Sequence, residues 1–433
     1  MTHLNLVSLV GFVCLCLLAW LLGGCRRPVP WRTVVGSSVL CFGLATVVFL
    51  VPASRRVLLV LNDLLLAVIG SSLRGGEFLL GPLALAPGQT TAAGEPSIGF
   101  VLAAQVLPAV VFFAALMAVL HHLGWIEPVV RLFGRLFHKT LALSGAEALA
   151  GSFHIFFGVE TAAAIRPYLV RMTSSELLVV LATNLATVAS TTLTLYVLFL
   201  RDVFPQIAGH LLSASVLSIP CAALVAKLIL PETGAPETAG AVPPVERGER
   251  HSSVMGALAS GAWDGLRVAA GISVILIAIL GVVGLVDVGL SKVGAWLPGV
   301  GATLSLERLL GWAFTPVAWL LGIPPQDLAV AGRLLGERLV VTEVVAYREL
   351  GSLAGAGALS PRTLLVLSYA LCGFAHVAGM GIAVGGFAAL APQRLEDLAA
   401  LGLRALAAAT LATLLTGALA GVFYHGQAGL LGL

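Results

Sequence analysis

Charge is scarce in this sequence. Only 10% of its 433 residues are Asp, Glu, Lys or Arg, against 59% hydrophobic residues. A soluble domain carries roughly a quarter of its residues as charge. No water-facing shell can be built from this composition, so lipid must cover most of the outside. The net charge of +3 supplies no basic face for nucleic acid. A phosphate-binding loop, a zinc-protease helix motif and a dinucleotide fingerprint are all missing, which argues against ATP-driven pumping by this chain alone. The six cysteines lack metal-finger spacing and mostly sit in apolar runs, where they read as small buried hydrophobes. Glycine, by contrast, is abundant at 49 residues and suits close helix packing in a bilayer.

A membrane span needs about 20 mostly apolar residues. The candidates are residues 4–23, 34–52, 98–120, 176–200, 205–230, 257–286, 363–388 and 400–424. Leu22-Gly23-Gly24-Cys25 loosely resembles a lipoprotein cleavage site. The first six residues hold no Lys or Arg, however, whereas a cleaved leader begins with a basic flank. Residues 4–23 therefore read as a retained span. Arg26, Arg27 and Arg32 follow it, hold that loop in the cytoplasm and leave the N-terminus outside. Residues 57–72, with Asn62 and Asp63, suit an interfacial helix. Residues 127–142 place Arg131, Arg135, His138 and Lys139 among apolar residues at helical spacing, the pattern of a helix lying on the membrane surface. Residues 303–322 look similar. Pro231 to Ser253 is rich in Pro, Gly, Glu and Arg and reads as an aqueous loop between two halves.

The halves resemble each other. In the first, Gly158-Val159-Glu160 interrupts an apolar stretch, and Met172-Thr173-Ser174-Ser175-Glu176 then opens a helix through Thr187-Val188-Ala189-Ser190. In the second, Val341-Thr342-Glu343 interrupts, and Leu359-Ser360-Pro361-Arg362 opens a helix through His376-Val377-Ala378-Gly379. Short interrupted segments in matching positions of two halves mark the binding site of repeat-built transporters. Residues 144–168 and 327–350 are expected to be re-entrant hairpins that meet near mid-membrane.

A carboxylate at membrane depth costs about 2.5–3.5 kcal/mol on the insertion scale and marks a substrate or ion pathway. Glu160 and Glu343 are such residues. His154 and His376 belong to the same paired clusters, and imidazole changes charge nearest physiological pH. Arg166, ahead of Pro167, reads as an anchor or a partner for a carboxylate. Asp264 and Arg267 are three apart on one helix and read as a local pair near its cytoplasmic end. Glu176 reads as a helix cap.

Over nearly its whole length the chain resembles the concentrative nucleoside transporters in their compact form. Met172-Thr173-Ser174-Ser175-Glu176-Leu177, Glu343-Val344-Val345-Ala346-Tyr347, Tyr369-Ala370-Leu371-Cys372-Gly373-Phe374-Ala375, Leu390-Ala391-Pro392 and Leu401-Gly402-Leu403-Arg404-Ala405 carry the likeness. The resemblance implies an all-α polytopic membrane protein of about eight transmembrane helices, two re-entrant hairpins and interfacial helices. It is an inverted repeat of elevator type. The implied organisation is N-terminal spans and an interfacial helix over 1–97, then a scaffold span and amphipathic helix over 98–143. The first transport repeat covers 144–230, the aqueous loop 231–256, a second scaffold span 257–302, an interfacial helix 303–326 and the second transport repeat 327–433. A homotrimer in the plasma membrane, importing nucleosides by symport with Na⁺ or H⁺, is also implied, with no enzymatic cofactor.

The resemblance carries substrate binding onto Val159, Glu160, Thr161, Thr342, Glu343, His376 and Gly379. It carries cation coupling onto His154, Phe157, Thr187 and Val188. The departures fall at these positions. The family's Gln and Thr in hairpin 1 become Val159 and a one-residue gap, so base selectivity is expected to be relaxed. Thr342 replaces Asn, His376 replaces a ribose-contacting Asn, and Gly379 replaces a contacting Ser. His154 stands where sodium users carry an Asn whose side-chain oxygen binds Na⁺. Imidazole has no oxygen, so H⁺ coupling is expected over Na⁺. Two other readings are kept in view: a transporter of the same fold for another small polar solute, and an intramembrane metalloenzyme built on Glu160, Glu343, His154 and His376.

Overall fold

The computed structural model describes residues 3–25, 27, 29–85, 89–91, 94–243, 253–296 and 304–426. Arg26 and most of the C-terminal half of the loop 231–253 lie outside them. The described residues are helical apart from turns and one isolated bridge between Thr90 and Pro96. The N-terminal part holds α1 (His3–Leu22), α2 (Trp31–Leu50) and α3 (Pro52–Leu80). A short turn, α4 (Leu102–Gln105), leads into α5 (Leu107–His122) and the amphipathic α6 (Glu127–Leu141). Then come α7 (Gly145–His154), α8 (Thr161–Leu169), α9 (Ser174–Ala186), α10 (Ser190–Leu200) and α11 (Ile207–Ile229). The long α12 (Val254–Trp296) and α13 (Leu306–Leu320) follow. The chain closes with α14 (Leu328–Val340), α15 (Glu343–Gly355), α16 (Pro361–Ala370), α17 (Val377–Leu390) and α18 (Leu395–Val422).

Helix starts follow local chemistry. Thr173 Oγ1 accepts from the Glu176 N–H at 3.1 Å, and the Glu176 carboxylate accepts from the Thr173 N–H at 2.8 Å. This reciprocal cap starts α9 and gives Glu176 the capping role read from sequence. Ser144 and Glu147 start α7 in the same way. At α16, Ser360 accepts from the Thr363 N–H, and Asp327 accepts from the Ser360 N–H and hydroxyl.

Among the described residues, eight helical stretches are long and apolar enough to cross a membrane; the broken α9–α10 pair is one of them, and α3 is another. Asn62, near its middle, donates to the Pro205 carbonyl and accepts from the Gly209 N–H, both at 3.3 Å. Those groups lie at the corner joining α10 to α11, and the expected interfacial segment 57–72 falls inside α3. The expected span at 363–388 is broken between α16 and α17 at Leu371–His376.

The repeat is visible in the element order. Helix pair α7–α8, broken span α9–α10 and span α11 recur as α14–α15, α16–α17 and α18. The breaks meet: the Phe374 N–H donates to the Thr187 carbonyl at 3.3 Å. The Ser190 N–H donates to the Phe156 carbonyl at 3.1 Å, tying the first helix pair to the first break. Unwound backbone inside a membrane is tolerated where protein or a cavity satisfies it.

Helix α12 has 43 residues, about 64 Å at 1.5 Å per residue and about twice the hydrocarbon thickness. It closes on α5 through Gly261 and Gly265. A Cβ at either would sit 2.5 Å from Ala118 Cβ or 2.8 Å from Ala114 Cβ, so only glycine allows this approach. Ala257, Ala269, Leu276 and Val283 are also buried, whereas Val274, Ile277, Val282 and Leu285 are exposed.

Candidate functional site

The two breaks and the two helix-pair turns converge on a cavity of about 390 Å³. This lies within the rough 300–1,000 Å³ range of small-molecule sites. Gly158, Val159 and Glu160 come from the turn between α7 and α8; Thr342, Glu343 and Val344 come from the turn between α14 and α15. Thr187, Val188 and Ala189 come from the first break, and Phe374 and His376 from the second. Asn184, Thr191, Thr192 and Ile382 add to the lining, and one wall is α12, through Arg267, Val268, Gly271, Ile272, Ile275 and Leu276.

Glu343 is fully buried at the first turn of α15, where the helix dipole favours negative charge. Tyr196 of α10 donates to its Oε1 at 2.8 Å. His376 Nε2 lies 3.1 Å from its Oε2, but the approach is off the hydrogen-bond direction, so neither atom has a formal partner. His376 Nδ1 accepts from the Gly379 N–H at 3.1 Å and caps α17. A neutral imidazole that accepts at Nδ1 carries its proton on Nε2. The protonated nitrogen of His376 is thus the one that lies 3.1 Å from the Glu343 carboxylate.

His154 is completely buried at the end of α7. Its Nδ1 lies 3.0 Å from Thr183 Oγ1, and the Thr183 hydroxyl donates to the Val179 carbonyl at 2.8 Å. With its only proton committed there, Thr183 accepts from His154 Nδ1–H. Nε2 is left with a lone pair and no protein partner.

Of the positions chosen from sequence, Val159, Glu160, Thr342, Glu343, His376, Thr187 and Val188 line the cavity. His154, Phe157, Thr161 and Gly379 are not among its lining residues. Gly379 acts through its backbone, and a Cβ there would meet the Phe374 carbonyl and ring. Thr161 is buried with its hydroxyl unpartnered. Asp264 and Arg267 do pair, at 2.8 Å, but Arg267 also faces the cavity, which the local-pair reading missed. Asn184, one turn before the first break, was missed as well. It lines the cavity with a buried, unpartnered amide nitrogen, and its polarity inside an apolar span was the available signal. Among the described residues, no three His, Cys, Asp or Glu side chains are grouped to hold a metal. Glu160, Glu343, His154 and His376 therefore do not form the metal site of the enzyme reading. Cys41, Cys221 and Cys372 are buried as expected, whereas Cys25 is exposed.

A cavity between two broken spans and two helix-pair turns, walled on one side by a long separate helix, defines a secondary transporter of the elevator class. The models of the Na⁺ dependent nucleoside transporter family match its C-terminal part over residues 210–421 and its N-terminal part over 10–83, and a nucleoside-recognition gate model matches 103–202. A transporter of Haemophilus influenzae is 34% identical over 429 residues, covering 96% of this chain and 97% of the relative. Nucleoside permease NupC of Helicobacter pylori is 32% identical over 433 residues, covering 97% and 98%. The solved structure of CNTnw in an inward-facing, substrate-bound state is 34% identical, with a TM-score of 0.86 over 97% of this chain and 98% of that one. The chain belongs to the Na⁺ dependent nucleoside transporter family. It is a multi-pass integral membrane protein, and a transporter rather than an enzyme.

Proposed function

We propose that this chain imports nucleosides across the plasma membrane by cation symport, with H⁺ as the coupling ion. The observation that carries the reading is Glu343: a carboxylate at the cavity wall, held by Tyr196 and facing His376. A carboxylate can accept from two adjacent hydroxyls, as on a ribose. Tyr196 occupies part of Oε1, and both oxygens keep lone pairs for the ligand. Thr342 and Asn184 add an unpartnered hydroxyl and amide. Val159 and the α12 wall supply an apolar surface for the base.

Proton coupling rests on His154. Its Nδ1 is engaged and its Nε2 offers only a nitrogen lone pair, a poor ligand for a hard alkali cation but an atom that can take up a proton. The Thr187 carbonyl already accepts from Phe374, which leaves fewer backbone oxygens for Na⁺. As in the elevator scheme, α5, α6 and α12 form the static scaffold and the two repeats form the moving body. The exposed apolar face of α12 meets lipid or two further copies in a homotrimer. Transport of another small polar solute is the second reading, favoured by the replacement of the family's base-contacting Gln by Val159.

Uptake of a panel of labelled nucleosides by proteoliposomes separates the two. Accumulation above empty liposomes, competed by unlabelled nucleosides, supports the proposal. No nucleoside uptake at verified incorporation moves the substrate to another class.

A further inference from the structure

Hairpin α14–α15 is rooted on α13 by a cluster of unbalanced charge. Arg333 of α14 makes an ion pair with Glu349 of α15 and lies 3.7 Å from Glu307 of α13. One turn further along α14, Glu337 is buried to 3% exposure. Arg333 stands four residues earlier on the same face of α14, so the Glu349 carboxyl it holds lies beside that of Glu337, and Glu337 Oε2 has no protein partner. Three carboxyls from three helices thus face one guanidinium. The other charged groups on these elements have contacts of their own, Glu343 among them with Tyr196. Arg308 lies over Trp312 and Arg348 over Phe100, each at 5.3 Å. Arg338 donates to the Ala370 carbonyl and to Thr413. At the end of α12, Asp287 accepts from the Leu306 N–H. None of the four residues of the cluster lines the transport cavity.

Two carboxylates in contact cannot both ionise without strong mutual repulsion. A buried, unpartnered carboxylate is also far costlier than a neutral acid. We propose that Glu337 and Glu349 share one bound proton, forming a proton-binding site at the root of this hairpin, separate from the substrate cavity and from His154. While the proton is bound, one carboxyl donates to the other and Arg333 neutralises the remaining charge. When it leaves, two negative charges stand in contact and the hairpin loosens from α13. The folded protein then holds this proton more firmly than the unfolded chain does. The stabilisation is complete at low pH and is lost as pH rises through the value at which the folded pair ionises.

The experiment uses purified full-length protein in detergent. The melting temperature is followed from acidic to alkaline pH, and the infrared band of protonated carboxyl groups is recorded over the same range. In the wild type the melting temperature falls as pH rises, and a protonated-carboxyl band is lost in step. Glu337→Gln keeps the shape but cannot ionise, so the fall flattens and the band disappears at every pH. Glu349→Gln leaves Glu337 beside an amide instead of a carboxyl and shifts the band. Wild-type and Glu337→Gln profiles that superpose, or a band that neither substitution changes, would overturn the proposal. Rescue of the wild type at alkaline pH by Na⁺ or Ca²⁺ would also overturn it, by showing that the site takes a metal cation. Proton-driven uptake at acidic pH persists in Glu337→Gln, so this test is independent of the coupling assigned to His154.

Discussion

His376 Nε2 stands 3.1 Å from Glu343 Oε2 while His376 Nδ1 caps α17 through the Gly379 N–H. One side chain thus joins the start of a half-helix to the carboxylate of the facing helix pair. Glu343→Gln preserves volume but turns one acceptor oxygen into a donor, which opposes both a ribose hydroxyl and the His376 N–H. The expected loss in nucleoside binding is about 1.5–3 kcal/mol, the scale of a hydrogen bond to a charged group. Equilibrium binding to purified protein reads it, and an unchanged affinity at equal folding would remove Glu343 from the site.

Base selectivity depends on what replaces the family's Gln and Thr. Val159 cannot hydrogen-bond, and it packs against Gly386 of α17. The Asn184 amide is a polar group near the first break whose nitrogen has no protein partner. Purine and pyrimidine nucleosides are expected to differ in affinity by no more than about tenfold, the scale of one net hydrogen bond. Asn184→Leu is expected to weaken both classes by about 1 kcal/mol. Competition against a single labelled nucleoside measures both effects, and a preference of several orders of magnitude would contradict them.

A buried ion pair fixes the base of the first hairpin. Lys227 Nζ lies 2.7 Å from Glu147 Oε1, close enough to pair though off the ideal hydrogen-bond direction. It lies 3.4 Å from Glu232, at the start of the aqueous loop. In that loop, burial alone would raise the Glu232 pKa. The Gly234 N–H and Lys227 outweigh it and hold the carboxyl below its ordinary range. Lys227→Met leaves Glu147 buried without its countercharge and is expected to cost about 3–5 kcal/mol. Lys227→Met with Glu147→Gln should recover most of that loss. Thermal melting of the two variants decides it, and equal losses would mean that packing rather than charge holds the joint.

Much of the architecture was legible because spans, breaks and caps are local chemistry. Glu176 after Thr173 announced a helix start, and Glu160 and Glu343 stood out as charges in apolar segments. Sequence placed the two clusters in matching positions without showing that Thr187 and Phe374 bond across the breaks. Arg267 was read from its i, i+3 neighbour alone. Its place in the cavity wall depends on where α12 packs, which no local pattern encodes. Gly379 shows the converse. Its position matches a binding residue, but the backbone geometry that holds Phe374 against it excludes a side chain. The expected count of about eight agrees with the eight candidate spans, although these include α3 and not the broken α16–α17 pair.

The central claim is proton-coupled nucleoside import with His154 as the proton acceptor, and imposed gradients in proteoliposomes test it most directly. With an inward proton gradient and no sodium, the account predicts nucleoside accumulation, lost in His154→Ala at equal incorporation. Accumulation that requires an inward sodium gradient and ignores the pH difference would contradict it.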